Sequence, residues 1–167
     1  MDKEEVRKLV ERKRLADDLK AELVGTISER VTRYLELDFI KVTPNEHFAS
    51  ISAECIHLYR DGYFFACIAL CQAVAEALVR FLCIRSGFKP DKVFEKNIDT
   101  LFRRNIMPKC YDLFKEIWEG RDDYHHLKPN VPTERIALQD IAKNKLTALH
   151  NIESMIFAFD VVDGGIK

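Results

Sequence analysis

Five of the seven residues in Gly120-Arg121-Asp122-Asp123-Tyr124-His125-His126 are Arg, Asp or His, and two of the chain's five histidines stand side by side there. These residue types suit phosphodiester chemistry. A guanidinium stays cationic and grips phosphate oxygens through paired hydrogen bonds. An imidazole titrates near neutral pH and takes or gives the proton of an attacking or leaving hydroxyl. On a regular α-helix Arg121 and His126 would diverge by about 140°, whereas Arg121 and His125 would share a face. Gly120, Pro129 and Pro132 permit a segment that is not regular helix, and pairing between subunits would also bring Arg121 and His126 together. Both histidines therefore stand as candidates. The same residues also suit a solvated turn, with the charges in water and a histidine beside Tyr124.

A second pattern lies on the most apolar stretch. Gln72, Glu76 and Arg80 recur every four residues and make one polar stripe. Read plainly, it is a solvent-exposed edge with a Glu76–Arg80 ion pair worth about 0.2–0.5 kcal/mol. Read functionally, Glu76 orients Arg121 or His126 from an otherwise apolar helix. Trp118 falls in register with Leu113, Phe114 and Ile117, which makes it a core anchor rather than a base-stacking platform. His47, His57 and His150 read as ordinary structural or surface residues.

The elements that must position the motif are helical throughout. Apolar residues from Val6 to Leu35 recur at spacings of three and four and predict a helix over 2–38, with Gly25 as a break point. Its basic residues are interspersed with acids, the pattern of a solvated helix face more than of a nucleic-acid arm. Thr43-Pro44-Asn45 marks a turn and a helix start. Helices follow over 46–60 and 63–86, the latter closed by Gly87 and Pro90. Shorter helices fall over 93–104 and 108–119, a polar connection over 120–132, and a long last helix over 133–162. No strand alternation or dividing linker interrupts this pattern. The expected fold class is all-α: a single helical domain over 1–167, with an N-terminal helical segment at 1–42 and an antiparallel bundle at 46–162.

Composition narrows the function classes. The chain has 167 residues, 47% apolar and 32% charged, enough for one domain with a real core. Six glycines and five prolines are few for a sheet-rich domain. A formal net charge of -1 excludes a global basic field for nucleic acid, so RNA binding needs a local patch or a groove between subunits. The five cysteines include no CxxC pair and have apolar flanks, as free thiols of a reducing compartment would. Cys67, Cys71 and His57 make a poor zinc set, because the ligands are too widely spaced. The charged first residues lack the apolar core of a signal peptide. The apolar run over 63–75 is shorter than the roughly 20 residues that span a bilayer. The expectation is a cytoplasmic chain with no membrane, metal or cofactor.

Trp118 to His126, with Arg121, the polar Asp122 and His126 after four intervening residues, resembles the signature of the HEPN superfamily of small helical domains. Tyr63-Phe64-Phe65-Ala66-Cys67-Ile68-Ala69-Leu70, continuing to Ala75-Glu76-Ala77-Leu78, is similar to the second core helix of these domains. The motif also stands just ahead of the last long helix, as it does there. The likeness covers roughly 46–160. It implies a bundle of four to five helices that pairs as a homodimer, with the two motifs facing each other across the two-fold axis. In many such proteins they form a metal-independent endoribonuclease site, in toxin–antitoxin or defence systems, while other members are non-catalytic nucleotide-binding or interaction modules. Carried onto this chain, the resemblance implies Arg121 and His126 (or His125) as catalytic residues, with Asp122 positioning one of them. It further implies RNA as substrate, a second copy of the chain, and an antitoxin or nucleotidyltransferase-like partner. The spacing of the family favours His126 over His125.

Overall fold

Asp2 opens the first helix. Its carboxylate accepts from the Glu5 backbone N–H at 2.8 Å, and the Glu5 carboxylate accepts from the Asp2 N–H at 2.9 Å, which satisfies two donors that the helix itself leaves unpaired. From there α1 runs unbroken over Lys3–Leu35. The break expected at Gly25 does not occur. One glycine inside a helix costs only about 1 kcal/mol, which a ladder this long absorbs.

The computed structural model describes residues 2–37, 46–129, 131–157, 161–162 and 165–166. The turn expected at Thr43-Pro44-Asn45 and the side chain of His47 lie outside the described residues. The chain divides into two compact units, Met1–Glu36 and Leu37–Lys167.

The second unit is a helical bundle. Its elements are α2 (Glu46–Asp61), α3 (Phe64–Arg85), α4 (Phe94–Arg103), a 3-10 turn (Pro108–Cys110), α5 (Tyr111–Trp118), α6 (Arg121–His125) and α7 (Arg135–Phe157). α3 is the hub, packing against α2, α4, α5, α6 and α7. A helix apolar on nearly every side has to be enclosed by others. Ile68, Leu78 and Val79 of α3 are accordingly fully buried. By length and composition α3 could cross a bilayer, yet 56% of its most apolar stretch is buried inside the bundle. Gly87, at φ 80°, ends α3: its N–H reaches the Ile84 carbonyl at 3.0 Å and the Phe88 N–H reaches that of Cys83 at 3.1 Å.

Two boundaries differ from the expectation. The connection over 120–132 contains the one-turn helix α6. Val161–Val162, expected in the last helix, pair antiparallel with Gly165–Ile166 instead. Two β-branched residues favour extended backbone there over helix.

All five cysteines are free and buried. Cys55 and Cys67 raise the pKa of the Cys71 thiol, and burial adds to the effect. His57 is exposed while Cys67 and Cys71 are not. Among the described residues, no group of three or more His, Cys, Asp or Glu could hold a metal ion. One buried polar pair joins α2 to α7: the Ser52 hydroxyl donates to the Glu153 carboxylate. Burial pushes the Glu153 carboxyl up to about 7, against a smaller opposing effect of the Ser52 hydrogen bond.

Candidate functional site

The motif hangs from the end of α5. That helix buries Phe114 and Ile117, and its last turn carries Trp118. The Trp118 ring stacks on Phe94 with centroids 3.9 Å apart and an interplanar angle of 14°. Its indole N–H donates to the Glu95 carboxylate at 2.9 Å. Trp118 is thus half-buried and anchors α5 to the start of α4, in keeping with its register.

A helix end presents carbonyls that no intrahelical N–H satisfies. Here a buried cation supplies the donors. Lys145 of α7 is 4% exposed, and its ammonium donates to the carbonyls of Glu116 at 2.9 Å, Ile117 at 2.9 Å and Glu119 at 2.8 Å. The Gln72 amide of α3, fully buried, donates to Ile117 O at 3.1 Å and Glu119 O at 3.3 Å. Burial lowers the Lys145 pKa, while Glu119 opposes the shift. A buried ammonium is tolerated when all its hydrogens are bonded, and the negative end of a helix dipole adds to the attraction. Gln72 corrects the reading of its stripe. It is not on a solvent-exposed edge but at the centre of the bundle, because α3 is covered on that side by α5. Glu76 and Arg80, further along, do form the expected pair, with Arg80 Nη2 2.9 Å from Glu76 Oε1.

Beyond this clamp the chain turns at Gly120, φ 68° and ψ 13°, a conformation that disfavours any side chain. The Gly120 carbonyl then accepts from the N–H groups of Asp123 at 3.0 Å and Tyr124 at 3.1 Å, starting α6. Tyr124 is buried and tilts against Phe65 at 5.7 Å, docking the short helix on α3. The helix closes with Leu127 at φ 49°, and the Lys128 N–H reaches the Asp123 carbonyl at 3.0 Å. A left-handed leucine costs roughly 1–2 kcal/mol, so the closure is held against local strain.

This geometry places each expected residue. Arg121 and His125 are one turn apart on α6, hence on one face. His126 is the C-cap residue, where the backbone leaves the helix at φ -106° and ψ 7°. The Arg121 guanidinium lies 5.3 Å from the centroid of the Trp118 ring and bonds Asp122 Oδ1 at 3.0 Å. That bond holds the Asp122 carboxyl below its usual range. His125 and His126 are both exposed. Partial burial lowers the His125 pKa, and the Arg121 and His126 charges push the same way against Asp122 and Glu76. The Glu76 hydrogen bonds go to Arg80, so its reach toward the motif is electrostatic, on His125.

An open cleft of about 400 Å³ lies beside Arg121, between Trp118, Lys115, Glu95 and Asp122. Its charged lining is acid-rich, with Glu95, Glu119, Asp122 and Asp123 against Lys115 and Arg121. Neither histidine lines it. Lys145 is the positioning residue that sequence reasoning missed. Its signal is a lysine flanked by Ala142, Leu146 and Leu149 in the buried register of α7. Compared with known proteins, the chain matches no family model, no curated protein and no solved structure.

Proposed function

We propose that the chain is a HEPN-like, metal-independent endoribonuclease that works as a homodimer. The observation that supports this best is a conformationally held Arg/His pair. Arg121 and His125 share one face of a single helical turn, which the Lys145 and Gln72 clamp and the buried Tyr124 hold in place.

In the proposed reaction a neutral imidazole takes the proton of an RNA 2′-hydroxyl, whose oxygen attacks the adjacent phosphorus. Two histidines compete for this role. His126 has the spacing of the resembling family. His125 shares the face of Arg121, and its lowered pKa favours the neutral imidazole. Arg121 binds the phosphoryl oxygens as charge develops in the transition state, and Asp122 orients the guanidinium. The bond to the 5′-oxygen breaks, that oxygen takes up a proton released by the imidazolium directly or through water, and the products are a 2′,3′-cyclic phosphate and a 5′-hydroxyl. A toxin–antitoxin or defence role, with an antitoxin or nucleotidyltransferase-like partner, fits such an activity.

The test is incubation of the purified chain with mixed RNA in EDTA, with Arg121→Ala, His125→Ala and His126→Ala variants run beside it. The expected result is cyclic-phosphate ends from the wild type, and a loss of at least about 100-fold for Arg121→Ala and for one of the two histidine variants. Full activity in all three variants would overturn the assignment.

One observation favours a second reading, a non-catalytic nucleotide-binding or protein-interaction module. The cleft beside Arg121 carries more acids than bases, and a polyanion gains little there. On that reading RNA is not cleaved under any of these conditions, and the protein co-purifies with a partner.

A further inference from the structure

A net charge of -1 conceals a local concentration of bases. Between Arg85 and Lys115 the sequence has eight bases and four acids, net +4, which leaves -5 for the remainder of the chain. This stretch runs from the end of α3 through α4 into α5, and all eight bases are exposed. Most of them lack a counter-charge. Elsewhere in the bundle Arg60, Arg80, Arg121 and Lys128 each lie 2.8–3.0 Å from a carboxylate oxygen. Of the eight, among the described residues, only Lys96 has a carboxylate partner, Asp91 at 3.9 Å. Two of the four acids hold aromatic side chains instead: Glu95 accepts from the Trp118 indole at 2.9 Å, and Asp99 from the Tyr111 hydroxyl at 2.8 Å.

The contacts join part of this stretch into one track. Lys96 and Arg103 are seven residues apart on α4, so they share a face and stand about 10 Å apart along its axis. Asp99, between them, carries Tyr111. The Tyr111 ring lies 4.6 Å from that of Phe102, which is 49% exposed. The Lys115 ammonium lies 5.0 Å from the Tyr111 ring centroid, and Lys115 also lines the cleft beside Arg121. Cations with accessible rings among them suit a single-stranded nucleic acid, whose phosphates meet the cations and whose bases stack on the rings. A duplex keeps its base faces in its own stack and cannot use the rings. An anionic lipid surface offers phosphates without planar bases. The track also answers the acid-rich cleft. Only the reacting phosphate need enter beside Arg121, while its neighbours lie on the cations outside.

We propose that the surface from Arg103 through Lys96 and Lys115 to Arg121 binds single-stranded RNA on one side of the scissile phosphate, with Phe102 and Tyr111 stacking its bases. The choice of RNA rests on the ribonuclease reading, but the test reads binding, so the two can fail separately. The probe is a fluorescent single strand of about 12 nucleotides, methylated at every 2′-hydroxyl so that it binds without being cleaved. Its anisotropy should rise with wild-type protein, and a duplex of the same sequence or anionic phospholipid vesicles should compete poorly. Lys96→Gln/Arg103→Gln/Lys115→Gln should weaken binding by at least about 10-fold and flatten its salt dependence by about 2 in the log–log slope. Phe102→Leu, which keeps an apolar side chain and removes the ring, should weaken binding by at least about 5-fold. Lys8→Gln/Lys13→Gln/Lys20→Gln, an equal loss of charge on α1, should leave it within about 2-fold. No binding by the wild type would overturn the proposal. So would equal effects of the two triple variants, or competition by duplex or vesicles as strong as by the single strand. Binding that obeys these expectations, with no cleavage of unmethylated RNA, would uphold the track and overturn the ribonuclease reading alone.

Discussion

α1 and α3 draw on the same apolar residue types and meet opposite fates. α3 is apolar on nearly every side, and eleven of its residues are buried. α1 carries its apolar residues among eighteen charged ones from Asp2 to Glu36, and all of its large apolar side chains are at least 40% exposed. Both are long, well-formed helices. Helix formation is therefore a poor guide to burial. What separates the two is how many neighbours each helix can satisfy. α3 is short enough in polar residues to be surrounded, and its one fully buried polar side chain, Gln72, has carbonyls waiting for its amide.

The sharpest way to break this contrast is at the buried cation. Lys145→Ala leaves the Glu116 carbonyl without its side-chain donor and the Ile117 and Glu119 carbonyls with Gln72 alone, and is expected to cost about 1–3 kcal/mol. Chemical unfolding checks this, and the spectrum of Trp118, which sits on the clamped turn, reports whether the α5 end has loosened. A change below about 1 kcal/mol would show that the clamp is not a main support of the motif.

A matched pair of substitutions sharpens it further. Leu78→Ala in α3 removes a fully buried side chain and should cost about 2–5 kcal/mol. Leu23→Ala in α1 should move the bundle's unfolding by no more than about 0.5 kcal/mol. Equal effects in the two would mean that α1 and the bundle unfold together.

A further effect is set by pH. The Glu153 carboxyl is pushed up to about 7 in the folded bundle from an ordinary 4.5. The folded state thus holds this proton more tightly than the unfolded state. Its contribution is present in full below the ordinary value and is lost as pH rises through about 7. Glu153→Gln keeps a partner for Ser52 and removes the ionisation. The variant should gain up to about 3 kcal/mol over the wild type at pH 8, and much less at pH 5. Thermal unfolding at the two pH values reads the difference, and identical pH profiles would refute the buried ionisation.

Much of the fold can be read along the chain. The three-to-four spacing of apolar residues locates the helices to within a few residues, and Gly87 stops α3 where a glycine after an apolar run should. These are local effects of backbone geometry and capping, so they need no tertiary partner. The candidate site is only partly legible. Residue types in Gly120–His126 point to phosphate chemistry, but whether Arg121 meets His125 or His126 depends on whether those residues coil. Their coiling in turn depends on the left-handed Gly120, the docking of Tyr124 on Phe65 and the strained closure at Leu127.

By itself the sequence determined that this chain forms long helices, that one of them is apolar enough to need enclosure, and that an arginine and two histidines lie between the last two helical runs. Tertiary structure decided the rest: that Gln72 and Lys145 lie inside, that they share the carbonyls of one helix end, and that α6 is a helix. The reason is energetic. The Gln72 amide and the Lys145 ammonium are buried where backbone carbonyls converge on them, and those carbonyls lie up to 47 residues away along the chain.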